Sequence, residues 1–311
     1  MMDVRKIILI ERREKMVVAR ASYHYEPFAD TAEYRDVNAA AVRRWLEVMR
    51  DNGIGRIERL LDLATGVGTM AKLFIDYLPA HSRQPTVICV DKSEEALEQA
   101  KVRLAPVVAD LNMIHAAVEE MDLPDESVDV AVWGNGIHYL SAEDQEKALR
   151  RIKRVLRPEG WFCVNTAFHA EGRPSETVPF YRAQVKKAVE HLRSRGINRQ
   201  DRSKRPEASN YFSQAQYEEL IRAAGLRIEN AHEFSIRVRV HALRCISGFV
   251  QYASGALHGY TPEAAVEAMQ NAVEPALQEY GQRDEQNKPY VTRNWLAIIA
   301  RKEIMTSTGA A

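Results

Sequence analysis

The positions best suited to chemistry are two acids and a glycine-rich turn. Asp62 lies in an apolar, strand-like run from Arg59 to Ala64, which leads into Thr65-Gly66-Val67-Gly68-Thr69 and then a helical pattern. A turn of this kind lets a ligand approach the backbone closely, because glycine has no Cβ to intervene. Gly66-x-Gly68-x-x-Ala71 fits the dinucleotide fingerprint, a weak signal alone. The carboxylate of Asp62 would repel a pyrophosphate and suits a cationic ligand better. Asp91 ends the next strand-like run, Thr86 to Asp91, where an acid can accept hydrogen bonds from both hydroxyls of a ribose. The plainer alternatives are a tight strand–helix corner and helix capping by Asp62.

These residues need a scaffold that presents strand ends. Val42, Trp45, Leu46 and Met49 give the segment Val37 to Arg50 an apolar face at helical spacing, and Asn52-Gly53 ends it. Strand and helix signals then alternate: helix from Thr69 to Leu78, strand from Thr86, helix from Ser93 to Arg103, strands at Asn112 to Ala116 and Ser127 to Trp133. A helix follows from Glu143 to Leu156, with Ser141 as cap and Asp144 in capping-box position. Arg157-Pro158-Glu159-Gly160 is read as its break and Trp161 to Ala167 as the fifth strand. Short apolar strands joined by helices predict an α/β fold, a doubly wound parallel sheet covered on both faces, with ligands beyond the carboxyl ends of the strands. The rhythm then breaks. Residues 170 to 212 are polar and basic, a helix runs from Ser213 to Ala224, a long strand from Leu226 to Val240, helices over 241 to 290, and a last strand from Val291 to Ala300.

Composition narrows the classes. The 311 residues carry 43 Lys+Arg against 43 Asp+Glu and are 46% hydrophobic, enough for a large core and against intrinsic disorder or binding of nucleic acid by bulk charge. The early apolar run Ile7 to Ile10 is too short to span a bilayer and lacks a cleavage pattern, so no membrane association is expected and the cytoplasm is the expected compartment. Cys89, Cys163 and Cys245 form no ligand spacing, and no His/Asp cluster calls for a metal.

LLDLATGVGT, VICVDKSEEAL, AAVEEMDLPDESVDVAVWGNGIHYL and LRRIKRVLRPEGWFCVNT, in that order over residues 55 to 168, resemble the motifs of class I S-adenosylmethionine (SAM)-dependent methyltransferases, including the quinone-biosynthesis and polyketide types. The resemblance implies a Rossmann-like, seven-stranded sheet, mostly parallel with an antiparallel last strand, and SAM as cofactor, leaving as S-adenosylhomocysteine. It also implies that Asp62 and the backbone from Ala64 through Thr65 and Gly66 to Gly68 face the methionine part. Asp91 would hold the ribose, Lys92, Val118 and Glu119 would flank the adenine, and Asn135 would meet the amino-acid end through its carbonyl. Ala64 replaces the usual first glycine. Ala117 stands where the family often has an adenine-binding aspartate.

An activated sulfonium methyl leaves the protein to align the acceptor and, for an oxygen or carbon acceptor, to remove a proton. His138, just past the fourth strand, is the first candidate base, against plain packing beneath the next helix. His169, past the fifth strand, is the second, against a solvated loop histidine. Asn165 occupies the strand position that holds a glutamate in carbon-methylating polyketide enzymes. An aromatic group before the first helix (Tyr23, Tyr25, Phe28, Tyr34) and others in the insertions (Phe180, Tyr181, Tyr211, Phe212, Phe249, Tyr252) are expected to cover an apolar acceptor, against ordinary helix packing. The expected organisation is an N-terminal helical cap (1–54), a SAM-binding core (55–169) completed by 213–240 and 291–302, and helical lid insertions at 170–212 and 241–290. The leading expectation is methylation of a hydrophobic small molecule, in secondary metabolism. The alternatives are a SAM-binding cyclase on the same fold and, motivated by the arginines from Arg193 to Arg205, an RNA methyltransferase, against which Asn135-Gly136-Ile137-His138 stands where amino-methylating nucleic-acid enzymes carry an Asn/Asp-Pro-Pro-aromatic motif. Oligomeric state is not legible.

Overall fold

A computed structural model describes residues 25–54, 56–78, 85–199 and 211–303. The run Ile7 to Ile10, Tyr23 and the distal arginines of the basic stretch, Arg202 and Arg205, lie outside the described residues.

A four-residue helix α1 (Glu26–Ala29) and α2 (Ala32–Asp51) precede the alternation β1 (Arg59–Leu63), α3 (Thr69–Tyr77), β2 (Thr86–Asp91), α4 (Glu94–Leu104), β3 (Leu111–His115), β4 (Val128–Gly134), α5 (Ala142–Val155) and β5 (Leu156–Thr166). Then come α6 (Val178–Ser194), α7 (Gln214–Ala223), β6 (Leu226–Arg239), α8 (Val240–Ser247), α9 (Val250–Ala256), α10 (Pro262–Tyr280), β7 (Gln282–Arg283) and β8 (Pro289–Lys302). The main sheet runs β3-β2-β1-β4-β5-β8-β6, its first five strands parallel and β8 antiparallel to both neighbours. The strand order reverses beside β1, so the ends of β1 and β4 diverge into a crevice.

The period of two along each strand divides the core. Leu60, Val87, Cys89, Val130, Val132 and Ile299 face Trp45 and Met49 of α2 and Phe74 of α3. The intervening Leu61, Leu63, Ile88, Val90, Ala131 and Phe162 face Leu149 and Ile152 of α5 and Tyr217 and Ile221 of α7. Both faces are therefore apolar, which is why these strands read as continuous hydrophobic runs. Helix starts are set locally: Ser141 accepts the Asp144 amide, and Ser213 and Gln216 form a reciprocal capping box, each cap contributing about 1 kcal/mol.

Two sequence expectations need correcting. Arg157 to Gly160 does not separate helix from strand. Leu156 already pairs with Val128, the register shifts there, and Glu159 takes φ 62 within β5. Residues 282 to 290 are not helical but a hairpin: β7 folds back on β8, and Asp284 accepts the amides of Gln286 and Lys288. This adds a short eighth strand to the seven expected.

The two insertions pack against each other, α10 along α6 and across α8 and α9. Their shared face is built of small residues, Ala188, Ala253, Ala265, Ala268 and Ala272 with Leu192, Leu257 and Met269, which lets the helices approach closely. Among the described residues no helix is long and apolar enough to cross a membrane.

Candidate functional site

A crevice of about 1030 Å3, its open mouth included, lies beyond the carboxyl ends of β1, β2, β3 and β4. The turn after β1 forms its floor. Ala64 and Gly66 take φ 47 and 52, in the left-handed region. An alanine at φ 47 is strained by roughly 1–2 kcal/mol and is held there by its neighbours. Thr65 donates its amide to the Val90 carbonyl at 3.0 Å, and Gly66 donates to Asp91 Oδ2 at 2.8 Å. Asp91 Oδ1 accepts the Ser93 amide at 2.9 Å. One carboxylate thus ties the turn after β1 to the start of α4 while lining the crevice. Burial raises the Asp91 pKa, opposed by those amides.

Asp62 stands behind the turn rather than in the crevice lining. Its Oδ2 accepts the Thr65 hydroxyl at 2.7 Å and the Ala71 amide at 3.1 Å, so it caps the start of α3. Oδ1 is buried with no partner among the described residues. Burial pushes this carboxyl to about 7, against the pull of Thr65 and Ala71 and with a further push from Asp91. Between about pH 4, where the unfolded aspartate titrates, and pH 7, the folded chain holds a proton that the unfolded chain has lost. Stability from this group is thus full below pH 4 and lost as pH rises to 7. Melting Asp62→Asn and the parent across pH 4 to 8 should show the variant gaining relative stability toward pH 8, by on the order of 1–3 kcal/mol. Parallel curves would remove the buried-charge assignment.

The crevice walls gather most of the residues expected from sequence. Ala64, Thr65, Gly66, Asp91, Lys92, Val118, Glu119 and Asn135 line it, with Tyr25, Tyr34 and Phe249 closing the top. Ala117 lines it too, an apolar wall where the family often has an acid. Gly68 does not line it. At φ 79, its missing Cβ would stand 3.1 Å from Leu104 and 3.3 Å from Ala100, so this glycine serves close packing of α3 on α4. Phe28 supports the wall from behind, its ring 5.6 Å from that of Tyr25 and 5.0 Å from that of Tyr34.

A buried amide chain fixes the far wall. Asn135, at φ 49, donates its backbone N–H to Asn165 Oδ1 at 3.0 Å, accepts the Ala167 amide at 2.9 Å and donates Nδ2 to the Tyr25 hydroxyl at 3.1 Å. Asn165 in turn donates to Asn38 Oδ1 at 2.7 Å, and Asn38 donates to the Tyr34 carbonyl at 2.7 Å. Sequence reasoning missed Asn38; an asparagine on the apolar face of an otherwise regular helix was the available signal. It also missed Trp133, Tyr139 and Gln251, which line the crevice.

The two histidines are placed differently from expectation. His138 is buried, its ring 4.1 Å from that of Tyr139 and 4.2 Å from that of Phe168. The Thr166 hydroxyl oxygen accepts the Phe168 amide at 2.9 Å and lies 3.1 Å from His138 Nδ1. Assigning the hydroxyl proton to Nδ1 leaves the ring proton on Nε2, which is buried without a partner among the described residues. Burial, then Arg293, pushes the His138 pKa down to about 3, far from the near-neutral value expected of a base. In that assignment His138 is neutral and its Nε2 is a donor. His169 is neither solvated nor in the crevice lining: its side chain is buried, with Nδ1 3.2 Å from Glu171 and Nε2 3.6 Å from Glu233. Tyr181, Tyr211 and Tyr252 lie outside the lining, in one apolar cluster with Tyr25, Tyr34, Tyr139 and Phe249. In the basic stretch, Arg195 pairs with Glu267, and Arg199 donates to the His258 carbonyl at 2.7 Å.

A doubly wound sheet with an antiparallel β8, and an acid-clamped turn at its switch point, are similar to the arrangement of the class I SAM-dependent methyltransferases. The family described as "Methyltransferase domain" matches residues 61–164. Among curated relatives, the ubiquinone/menaquinone biosynthesis C-methyltransferase UbiE of Serratia proteamaculans is 27% identical over 162 residues, and the demethylmenaquinone methyltransferase of Chlamydia pneumoniae is 32% identical over 158. Each match covers 50% of this chain and 61% of the relative, so the chain spans less than two thirds of these relatives' length. A solved structure of a provisionally named methyltransferase from Bacillus halodurans C-125 superposes with a TM-score of 0.53 at 15% identity, covering 84% of this chain and all of that one, a likeness of fold.

Proposed function

We propose that the chain transfers the methyl group of SAM to an oxygen or carbon of a hydrophobic small molecule. The observation that carries this reading is the Asp91 carboxylate in the crevice wall, tied to Gly66 of the turn. Asp91 would accept the ribose hydroxyls, the backbone from Ala64 to Gly66 and Asn135 would meet the amino-acid end, and Lys92, Val118 and Glu119 would flank the base. When bound, SAM supplies an already activated methyl group. The chain's own task is then alignment and exclusion of water.

Aromatic rings suit that task. Tyr25, Tyr34, Tyr139 and Phe249 line the crevice with aromatic rings, favourable to a sulfonium cation and to an apolar acceptor. The described parts of residues 170–212, with residues 241–290, act as a substrate lid over the described parts of the core of 55–169, 213–240 and 291–302, with residues 25–54 as a cap. Asp62 and Gly68 hold the turn in shape rather than touch the ligand. The relatives named for ubiquinone/menaquinone biosynthesis and for demethylmenaquinone motivate an aromatic or enolic acceptor.

The test is incubation with SAM labelled in its methyl group and a panel of phenolic and enolic acceptors. Label is expected in an organic-extractable product, with loss of transfer on Asp91→Ala. Label incorporated into RNA instead, or acceptor consumed without label, would replace this reading by nucleic-acid methylation or a SAM-supported cyclisation.

A further inference from the structure

Next to the crevice, on its Tyr139 side, lies a cluster that the methyl-donor reading does not use. Arg173 and Arg293 both stack on the ring of Tyr181, their guanidinium carbons 4.3 and 5.6 Å from its centroid. Arg173 also lies 5.7 Å from the ring of Tyr211, and Arg293 lies 5.1 Å from that of Phe168. Phe168 is the ring on which His138 stacks, and His138 adjoins Tyr139 of the crevice wall. Arg293 is 6% exposed. It donates to the Ala167 carbonyl, and Arg173 Nε is buried with no partner among the described residues.

Neither arginine has an ion pair with a carboxylate among the described residues, whereas Arg195, Arg237, Arg239 and Arg244 each do. Two guanidinium groups sharing one ring repel each other, and a buried charge without a counter-charge is costly. The neighbouring phenols do not neutralise them: burial, despite Arg173, pushes the Tyr252 hydroxyl to about 12, so it is uncharged at neutral pH. His138 Nε2, assigned above as an unpaired N–H, adds a third buried donor. A planar guanidinium fork on an aromatic face is the arrangement that recognises carboxylate or phosphate oxygens.

We propose that this cluster is the acceptor's anchoring site, and that the acceptor carries an anionic oxygen group, a carboxylate or phosphate, on an apolar body, gripped by Arg173 and Arg293 with His138 donating beside them. The inference rests on the methyl-transfer reading for the word acceptor; the anion site itself does not. It also supplies an electrostatic logic: an anion held on this side draws the acceptor toward a sulfonium cation held among Tyr25, Tyr34 and Tyr139. Tyr181, Tyr211 and Tyr252 form the apolar box around the charged end rather than a lid over the methyl donor.

The experiment uses the full chain with S-adenosylhomocysteine and three fluorinated probes of similar shape, 4-fluorobenzoate, 4-fluorophenyl phosphate and 4-fluorobenzamide, titrated by 19F NMR. At least one anion is expected to bind tenfold or more tighter than the neutral amide, and the better anion identifies the group. Arg173→Met, at the less buried of the two positions, should lower anion affinity about tenfold and leave the amide unchanged, with thermal melts reporting its fold. Arg293→Lys keeps a charge while losing the fork and should lower anion affinity less. Equal or absent binding of all three probes, or anion preference intact in folded Arg173→Met, overturns the anion site. Separate calorimetry with S-adenosylhomocysteine keeps the two readings apart. Nucleoside binding without anion preference sinks this inference alone, and anion preference without nucleoside binding sinks the methyl-donor reading alone.

Discussion

Asp91→Ala is expected to weaken S-adenosylhomocysteine binding by about a hundredfold, or roughly 2.7 kcal/mol. Two losses combine. The carboxylate that would accept the ribose hydroxyls is gone, and charge-assisted hydrogen bonds of this kind contribute about 1.5–3 kcal/mol. The amides of Gly66 and Ser93 also lose their acceptor, so the turn after β1 and the start of α4 are no longer tied together. Asp91→Asn keeps one acceptor oxygen and should lose only about tenfold. Isothermal calorimetry on both variants, with circular dichroism to show that they fold, decides the matter. Parent-like affinity in the alanine variant would mean that this crevice does not take the nucleoside.

The second large effect is on stability. Asn165→Leu removes the donor to Asn38 Oδ1 and one of the two acceptors of the Asn135 amide, in a region sealed from water. Leaving buried polar groups unpaired, with a branched side chain forced into an amide's place, should cost about 2–4 kcal/mol and lower Tm by roughly 5–10 °C. Because Asn135 carries the left-handed backbone of the crevice wall, nucleoside affinity should fall in the same variant. Melting curves and calorimetry on one preparation test both. An unchanged Tm would show that the asparagine chain is not what fixes α2 to the strand ends.

Asn165 also shows where reading by family likeness meets its limit. Its strand position invites comparison with a histidine–glutamate pair, yet its side chain turns to Asn38 of α2, 127 residues away in sequence, and His138 finds Thr166 instead. The crevice lining, by contrast, was largely legible. Ala64, Thr65, Gly66, Asp91, Lys92 and Asn135 all sit within three residues of a strand end, and a parallel sheet brings successive strand ends to one edge whatever the loops do. Asp62 and Gly68 belong to the same turn but not to its exposed side, a distinction that spacing does not encode.

By itself, the sequence determined the periodic part of the molecule: alternating apolar runs for a sheet buried on both faces, caps at Ser141 and Ser213, and a glycine turn followed one strand later by an acid. These are local patterns, and a regular backbone converts local pattern directly into position. Only the tertiary structure decided what the insertions and the histidines are. Arg173 and Arg293 are 120 positions apart in the chain and meet on Tyr181 because β8 inserts between β5 and β6. The basicity of His138 is set by burial and a neighbouring arginine, quantities that exist only once the chain has closed around them.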